Sequence, residues 1–257
     1  MKRSNPTTAA ACPDAPRRIG LIGAGRIAMP IIDAWTAGGL PGWTISGVLA
    51  RGERELGPLR STGNAEKFFL AGHDLIIEAA GPAALAAHGA RALAVADVWT
   101  VSAAALADAV LFGKLEAAAR QAGHRLRVMP GAFAGLDGVA TAAVDPQATL
   151  QLDIDLPPGK GQRQLRFSGT AREAALRYPG SANVAAAAAL VGPGLDKSRV
   201  DVSHPGPAPL YQLALTATSR YGTVRVAVSP RVGPGIHPVA ANLIAMLRRE
   251  MLAVWVG

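Results

Sequence analysis

The patterned part of the chain opens with a short apolar run that is followed at once by helical periodicity. RIGLI, at residues 18–22, is apolar enough for a buried strand, and apolar residues then recur at helical spacing from Arg26 to Trp35. Further strands are predicted at 44–49, 74–79, 97–102 and 126–129, and helices after Pro82 and at 104–122. Strands that alternate with helices of this length predict a parallel sheet with helices on both faces.

The pattern changes near residue 140. Strands are predicted at 148–156, 163–167, 198–202, 211–219 and 224–229, and helices at 171–177, 181–191 and 238–254. The predicted fold class is therefore α/β, with an N-terminal Rossmann-type doubly wound parallel sheet and a C-terminal α+β domain whose sheet is mixed and mostly antiparallel.

These patterns also predict a division of the chain into domains. We expect a flexible tail at 1–16, which is rich in proline and small polar residues. The α/β domain is expected at 17–138, and the α+β domain at 139–257. The helix predicted at 238–254 is expected to pack back on the first domain.

Composition narrows the classes of function. Half of the 257 residues are hydrophobic and 17% are charged, which excludes a wholly disordered chain. The single cysteine, Cys12, excludes an internal disulfide and a multi-cysteine metal site, and we expect no metal. It also suits a reducing compartment, so a cytoplasmic location is expected.

The positive charge is scattered along the chain. The formal net charge is +8, yet no lysine- or arginine-rich run occurs, which favours small anionic ligands over a nucleic-acid groove. Every window of 18 residues contains a charge or polar break, and the first 16 residues lack the apolar core of a secretory signal. We therefore expect neither a nucleic-acid nor a membrane partner.

The strongest local signal is GAGRIA at residues 23–28, between a predicted strand and a predicted helix. Its glycines permit a tight turn and a close approach to a pyrophosphate, and its final small residue lets the helix pack on the strand. The helix N-terminus presents free N–H groups to phosphates. The candidate contacts are Gly23, Gly25, Arg26, Ile27 and Ala28, and the alternative is a glycine turn that binds nothing.

The residues after the second strand bear on the choice of cofactor. Ala50 and Arg51 stand where an NAD-binding domain usually carries an acid that accepts hydrogen bonds from the ribose. Arginine suits a 2′-phosphate, so NADP is expected to bind in preference to NAD. The alternatives are that Arg51 and Arg54 are solvated loop charges, or that Glu53 recovers the ribose contact.

Small residues end two further predicted strands. They leave room for a flat cofactor ring, although ordinary strand-to-helix turns would also account for either group alone. The candidate contacts are Ala80, Gly81, Ser102 and Ala103.

Several segments, in order along the chain, resemble the L-aspartate dehydrogenase family. They are RIGLIGAGRIA, EAAGPAAL, TVSAAALAD, PGAFAGLDG, FSGTAREAALRYPGSANVAAAAAL and DKSRV. The resemblance implies an NAD(P)-dependent oxidoreductase that acts on a CH–NH2 group of a small amino acid or amine, and a homodimer or larger assembly. It assigns dinucleotide binding to the domain at 17–138, and substrate binding and oligomerisation to the domain at 139–257. It also implies that Ala132 and Asn183 contact the nicotinamide part, whereas the residues alone would equally allow Asn183 to be a helix N-cap.

One departure from the family concerns catalysis. The family has a histidine for acid–base chemistry whose place falls near Leu213, so we expect slow oxidation of L-aspartate. The candidate catalytic replacements are His204 and Tyr211, and His237 is a further loop histidine. An amine dehydrogenase or imine reductase with another substrate, or a dinucleotide-binding protein with little catalysis, are the alternatives.

Overall fold

A computed structural model describes residues 15–156, 161–204, 206, 212–230 and 235–254, so most of the predicted tail lies outside the described residues. The elements before residue 145 are β1 (Arg17–Ile22), α1 (Ala28–Thr36), β2 (Trp43–Leu49), β3 (Glu55–Leu56), β4 (Leu59–Arg60), α2 (Ala65–Phe69), β5 (Leu75–Glu78), α3 (Pro82–Leu93), β6 (Asp97–Thr100), a 3₁₀ helix (Ala103–Ala107), α4 (Ala109–Ala122), β7 (Leu126–Val128) and α5 (Leu136–Ala142). They are followed by β8 (Thr149–Asp155), β9 (Gln164–Thr170), α6 (Ala171–Arg177), α7 (Asn183–Val191), β10 (Arg199–His204), β11 (Leu213–Ser219), β12 (Gly222–Val228) and α8 (Pro238–Arg249).

The first sheet is parallel, as the alternating pattern predicted. Its strand order is β2-β1-β5-β6-β7. Ile19 and Leu21 face a core shared with α1 and α8, whereas Ile22 faces the opposite core beside α3 and α4. The strand β2 lies on one side of β1 and β5 lies on the other, so the strand order reverses at β1. A crevice therefore opens at the carboxyl ends of β1 and β5.

The second sheet has the order β12-β11-β8-β10-β9 and is antiparallel except for the β8–β10 pair. This arrangement confirms the predicted mixed, mostly antiparallel sheet. Val200 and Val202 point into a core formed with α5, α6 and α7. The alternate residues Arg199 and Asp201 point to the opposite face, which no helix among the described residues covers.

Two alanine-rich elements join the sheets. Residues 185–189 of α7 are all buried, and they share one core with Ala103, Ala104 and Ala107 of the 3₁₀ helix. The prediction of a single helix at 104–122 was wrong, because the Asp108 side chain accepts hydrogen bonds from Val110 N at 2.9 Å and Leu111 N at 3.1 Å and begins a new helix there.

The last helix returns to the first sheet. Leu243 and Leu247 are fully buried in the core that contains β1 and α1. The Trp43 indole donates to the Leu247 carbonyl at 2.9 Å, which fixes the C-terminal end of α8 near the start of β2. The helix ends at Arg249, so the predicted extension to residue 254 was wrong. Within the described residues, no helix is both long and apolar enough to span a bilayer.

The His73 side chain links β2, an edge strand of the first sheet, to α2. Its Nε2 donates to the Phe68 carbonyl at 2.8 Å, and its Nδ1 lies 2.7 Å from the Ser46 hydroxyl. The imidazole also packs on the Phe68 ring, at 4.5 Å between centroids. Burial lowers the pKa of His73 below its ordinary value, more than the bond to Phe68 raises it.

We expect the free energy of unfolding to fall in mild acid because of His73. Since its pKa is lower in the folded than in the unfolded chain, protonation favours unfolding. The stabilisation is complete above about pH 6.5 and is lost as the pH falls from there towards the folded-state pKa. His73→Gln should lower stability at pH 8 by about 1–3 kcal/mol and flatten this pH dependence. Urea unfolding between pH 8 and 5 measures both effects, and parallel curves for variant and wild type would contradict the assignment.

Candidate active site

The turn after β1 requires glycine at its first position. Gly23 has a φ of +109°, and a Cβ added there would lie 3.0 Å from the carbonyl carbon and oxygen of Ala79. The Gly23 N–H donates to the Leu49 carbonyl at 2.8 Å. The backbone of this turn therefore sits directly between the ends of β2 and β5, inside the crevice.

Gly25 faces open space. A Cβ built on it would meet nothing within 4 Å, and its φ lies outside the left-handed region. The helix α1 then starts at Ala28, which is fully buried, while Ile27 provides no side-chain cap and the first turn has no acidic residue. These free N–H groups beside an open glycine and the exposed Arg26 fit a phosphate group.

A cavity of about 890 Å³ adjoins this turn, a volume that suits a large ligand. One wall is formed by the glycine turn and residues 49–54, and the opposite wall by α3 and the residues before it. The residues lining this second wall are Ala79, Ala80, Ala83, Ala84, Ala87 and His88.

The charged residues after β2 differ in what they contact. Glu53 forms an ion pair with Arg60 at 3.2 Å, and the Arg54 guanidinium donates to the Ala24 carbonyl. Arg51 is exposed, and its guanidinium has no ion pair or hydrogen bond to any described residue. The side chain of Ser61 holds this loop by accepting from Arg54 N at 3.1 Å. Among the described residues at the rim of the cavity, Arg51 is therefore an unpaired cation, whereas the carboxylate of Glu53 is already paired with Arg60.

The sequence pattern did not indicate Glu78 as a site residue. Its side chain lies at the carboxyl end of β5, is 1% exposed, and accepts from Ala80 N and Gly81 N at 2.8 Å each. It also accepts from the Thr100 hydroxyl at 2.6 Å, and Thr100 Oγ1 accepts from Ser102 N at 3.0 Å. This chain of hydrogen bonds holds Ala80, Gly81 and Ser102 in place; a glutamate within EAAG reads simply as the end of a buried strand.

Ser102 and Ala103 follow β6 and are buried, with the Ser102 hydroxyl unpaired among the described residues. Asn183 lies close by: its Oδ1 accepts from Ala104 N at 3.0 Å, and its Nδ2 donates to the Pro179 carbonyl at 3.1 Å. Asn183 is the first residue of α7, whose N-cap is Ala182, so it is not an N-cap. One N–H and one lone pair of the amide remain for a ligand.

The loop that contains Ala132 lies between two helices. A Cβ built on Gly131 would come within 3.8 Å of Val184 in α7 and 4.0 Å of Val239 in α8. Phe133 is buried in the second core, and Ala132 packs against that core. The loop is thus held at the junction of the two sheets, next to the ends of β6 and β7.

The two replacement candidates for the family histidine have different outcomes. Tyr211 lies outside the described residues. His204 ends β10 on the face shared by Val200 and Val202, the helix-covered face that borders the junction. Its Nδ1 accepts from Gly206 N at 3.1 Å, so Nε2 is the atom left for a ligand and carries the proton in the neutral ring.

Leu213 is 1% exposed inside the second core. His237 is the N-cap of α8, where its Nδ1 accepts from Val239 N at 3.2 Å. Burial and, to a smaller extent, the positive charge of Arg26 lower the pKa of His237. Pro238 follows His237, and proline is favoured in the first turn of a helix. The sequence therefore signalled that a helix begins directly after His237.

In the described part of the chain, no three His, Cys, Asp or Glu side chains are grouped so that they could hold a metal ion.

Two family models match successive parts of the chain. Residues 23–129 match the NAD-binding domain of homoserine dehydrogenase, and residues 132–246 match the C-terminal domain of aspartate dehydrogenase. An L-aspartate dehydrogenase of Ruegeria pomeroyi is 37% identical over 92% of this chain and 94% of its own. The chain belongs to the L-aspartate dehydrogenase family. It is an NAD(P)-dependent oxidoreductase, which confirms the family and the class of enzyme predicted from its sequence.

Other members of the family agree with this result. L-aspartate dehydrogenase 2 of Bordetella pertussis is 36% identical over 72% of this chain and 76% of its own. The crystal structure of aspartate dehydrogenase from Thermotoga maritima superposes with a TM-score of 0.75 and covers 94% of this chain and 99% of its own, at 16% identity. At that identity the likeness concerns the fold, and it matches the two-sheet architecture described above.

We expect Gly25→Val to separate ligand binding from folding. A Cβ at position 25 meets nothing within 4 Å, so the melting temperature of this variant should stay within a few degrees of wild type. The branched side chain would occupy the approach to the free N–H groups, and affinity for NADPH should fall by about tenfold or more. Cofactor fluorescence titration measures this loss. Gly113→Ala, at another unobstructed glycine within α4, is the control and should bind like wild type; unchanged binding by Gly25→Val would contradict the site.

Proposed function

We propose that this enzyme is an NADP-preferring dehydrogenase that oxidises L-aspartate, with the dinucleotide lying along the crevice between β1 and β5. The observation that carries the proposal is the coincidence of an open glycine turn, an uncapped helix start and a large cavity. These features occur in a chain that is 37% identical over 92% of its length to an L-aspartate dehydrogenase.

The proposed position of the dinucleotide follows the crevice. Its pyrophosphate lies at the turn, its adenosine lies in the cavity towards Arg51, and its nicotinamide lies at the junction of the sheets. The proposed contacts at the turn are Gly23, Gly25, Arg26, Ile27 and Ala28. Those at the nicotinamide end are Ala80, Gly81, Ser102, Ala103, Ala132 and Asn183. The unused N–H and lone pair of Asn183 support this placement, because a carboxamide both donates and accepts hydrogen bonds.

When bound, the cofactor supplies the acceptor for the hydride that leaves the carbon bearing the amino group. The chain must then orient the substrate and receive one proton. His204 is proposed to donate a hydrogen bond from Nε2 to a substrate carboxylate, since its Nδ1 is occupied by Gly206 N–H. The proton from the substrate nitrogen passes to Tyr211 or to water, because the core residue Leu213 stands where the family has a histidine.

A second substrate class is supported by Leu213. An apolar core residue in that place provides no acid–base group for the oxidation of L-aspartate, which favours an amine dehydrogenase or imine reductase that acts on another substrate. An absorbance assay at nicotinamide wavelengths, with both cofactors and a panel of amino acids, amines and oxo acids plus ammonia, distinguishes the two classes.

A homodimer is proposed through the open face of the second sheet. On that face Asp153 lies directly beside Asp201, and the neighbouring row across the strands contains Arg199 and Arg225. A twofold axis that lies in the plane between two such faces, parallel to the two rows and midway between them, would bring the acidic row of one copy against the basic row of the other.

The same proposal includes the division of the chain. Residues 17–138, completed by α8, would form the dinucleotide-binding domain, and the remaining part of 139–257 would form the substrate and oligomerisation domain. The single cysteine supports a cytoplasmic location.

NADPH is expected to bind more tightly than NADH. A charge-assisted hydrogen bond from Arg51 to the 2′-phosphate contributes about 1.5–3 kcal/mol, which corresponds to roughly tenfold or more in affinity. Arg51→Ala should remove this preference and leave NADH affinity nearly unchanged. Calorimetry with both reduced cofactors measures it, and Arg120→Ala, which removes an exposed arginine of α4, controls for net charge. Equal affinities in the wild type would refute the preference.

Oxidation of L-aspartate is expected to be slow, with kcat about 10²–10⁴-fold below that of the Ruegeria pomeroyi relative, because the positioned acid–base histidine is absent. His204→Ala should raise the KM for aspartate by about tenfold, and His204→Gln should restore most of it because an amide can replace the Nε2–H donor. Both variants should retain wild-type NADPH affinity. Steady-state kinetics test this, and equal losses of kcat in both variants with KM unchanged would instead assign proton transfer to His204.

A further inference from the structure

Glu78 is a buried carboxylate that lacks a cationic partner. It forms no ion pair with any described Lys, Arg or His, and its side chain is 1% exposed. A buried charge is unfavourable unless donors replace its lost hydration. Three donors do so here: Ala80 N, Gly81 N and the Thr100 hydroxyl, at 2.8, 2.8 and 2.6 Å.

Holding the strand ends together does not by itself require a charge. A glutamine at position 78 could accept from Ala80 N and Gly81 N through Oε1 and donate to Thr100 Oγ1 through Nε2. These hydrogen bonds therefore do not require the negative charge of Glu78. The additional effect of that charge is a fixed electric field at the end of β5.

The electric field of Glu78 reaches into the crevice. The next residue, Ala79, is in contact with the glycine turn, since a Cβ on Gly23 would lie 3.0 Å from the Ala79 carbonyl. Ala79 and Ala80 both line the cavity. On the other side, Thr100 links Glu78 to Ser102, whose unpaired hydroxyl lies at the end of β6. Glu78 thus lies beside the path proposed for the nicotinamide half of the dinucleotide.

The charges around the crevice act on different parts of such a ligand. Arg26, Arg51 and Arg54 border the turn and the cavity rim, where phosphate groups carry the same charge in both redox forms of the cofactor. The nicotinamide ring alone changes charge, from +1 when oxidised to neutral when reduced. A carboxylate near that ring therefore acts on one redox form and not on the other.

We propose that Glu78 makes the enzyme hold the oxidised cofactor more tightly, relative to the reduced cofactor, than the phosphate contacts alone would. This rests on the position proposed above for the dinucleotide. For unit charges about 10 Å apart at an effective dielectric constant of about 20–40, the expected effect is on the order of four- to fifteenfold in relative affinity. This preference favours binding of the oxidised cofactor, which accepts hydride from the substrate, and release of the reduced cofactor that is produced.

The test compares the dissociation constants of NADP+ and NADPH, measured by calorimetry and fluorescence. Glu78→Gln should weaken NADP+ binding by about four- to fifteenfold and change NADPH binding by less than twofold. Thr100→Val is the matched control: it removes the hydroxyl of the same network but keeps the carboxylate, so it should change both constants by one common factor. Equal changes for both redox forms in Glu78→Gln would reduce Glu78 to a structural role and overturn the proposal.

A second variant covers the case in which Glu78→Gln does not fold. Ala80→Asp places an additional carboxylate on the exposed turn beside Glu78, and it should shift the NADP+ to NADPH affinity ratio further towards the oxidised form. A ratio unchanged in Ala80→Asp would also overturn the proposal. If wild-type protein bound neither form, the position proposed for the dinucleotide would fail instead, so the two failures are distinguishable.

Discussion

The contact between two runs of alanine sets the distance between the two sheets. The 3₁₀ helix follows directly from β6, and its alanines pack on the alanine face of α7, which is carried by the second sheet. Alanine has no atoms beyond Cβ, so the two backbones approach closely, and a larger side chain in either run would overpack the contact at about 1–3 kcal/mol. Arg172, which donates to the Ala107 carbonyl and is paired with Asp196, and Asn183, which accepts from Ala104 N, fix the same contact with polar bonds.

The chemistry of the crevice depends on this short distance. The ends of β5 and β6 belong to one sheet and His204 belongs to the other, and the alanine contact joins the two sheets. The positions proposed above for the cofactor and the substrate both depend on that contact. Charge is also distributed unevenly around the crevice: Arg51 and Arg54 line the cavity, whereas the carboxylate of Glu78 is buried next to the lining residue Ala79.

Most of the fold could be predicted because it follows from local periodicity. Strands such as β1 and β5 are continuously apolar, and the glycine turn lies between a strand and a helix. The break at Asp108 was missed because alanine-rich sequence on both sides favours a continuous helix, although aspartate before a helix is itself an N-cap signal. Glu78 was missed for another reason: its surroundings are made by backbone donors of the following turn and by Thr100 of the neighbouring strand, and the sequence pattern does not show that these converge.

The return of α8 to the first sheet has a consequence for how the protein is made. Leu243 and Leu247 complete a core whose other residues, such as Ile31 and Ile77, are synthesised far earlier. During translation, the N-terminal sheet therefore has part of one apolar face uncovered until α8 has been synthesised. Contacts of such large sequence separation close slowly, so the second sheet can fold while the first is still incomplete. A chain that lacks α8 would expose this part of the face to chaperones or to aggregation.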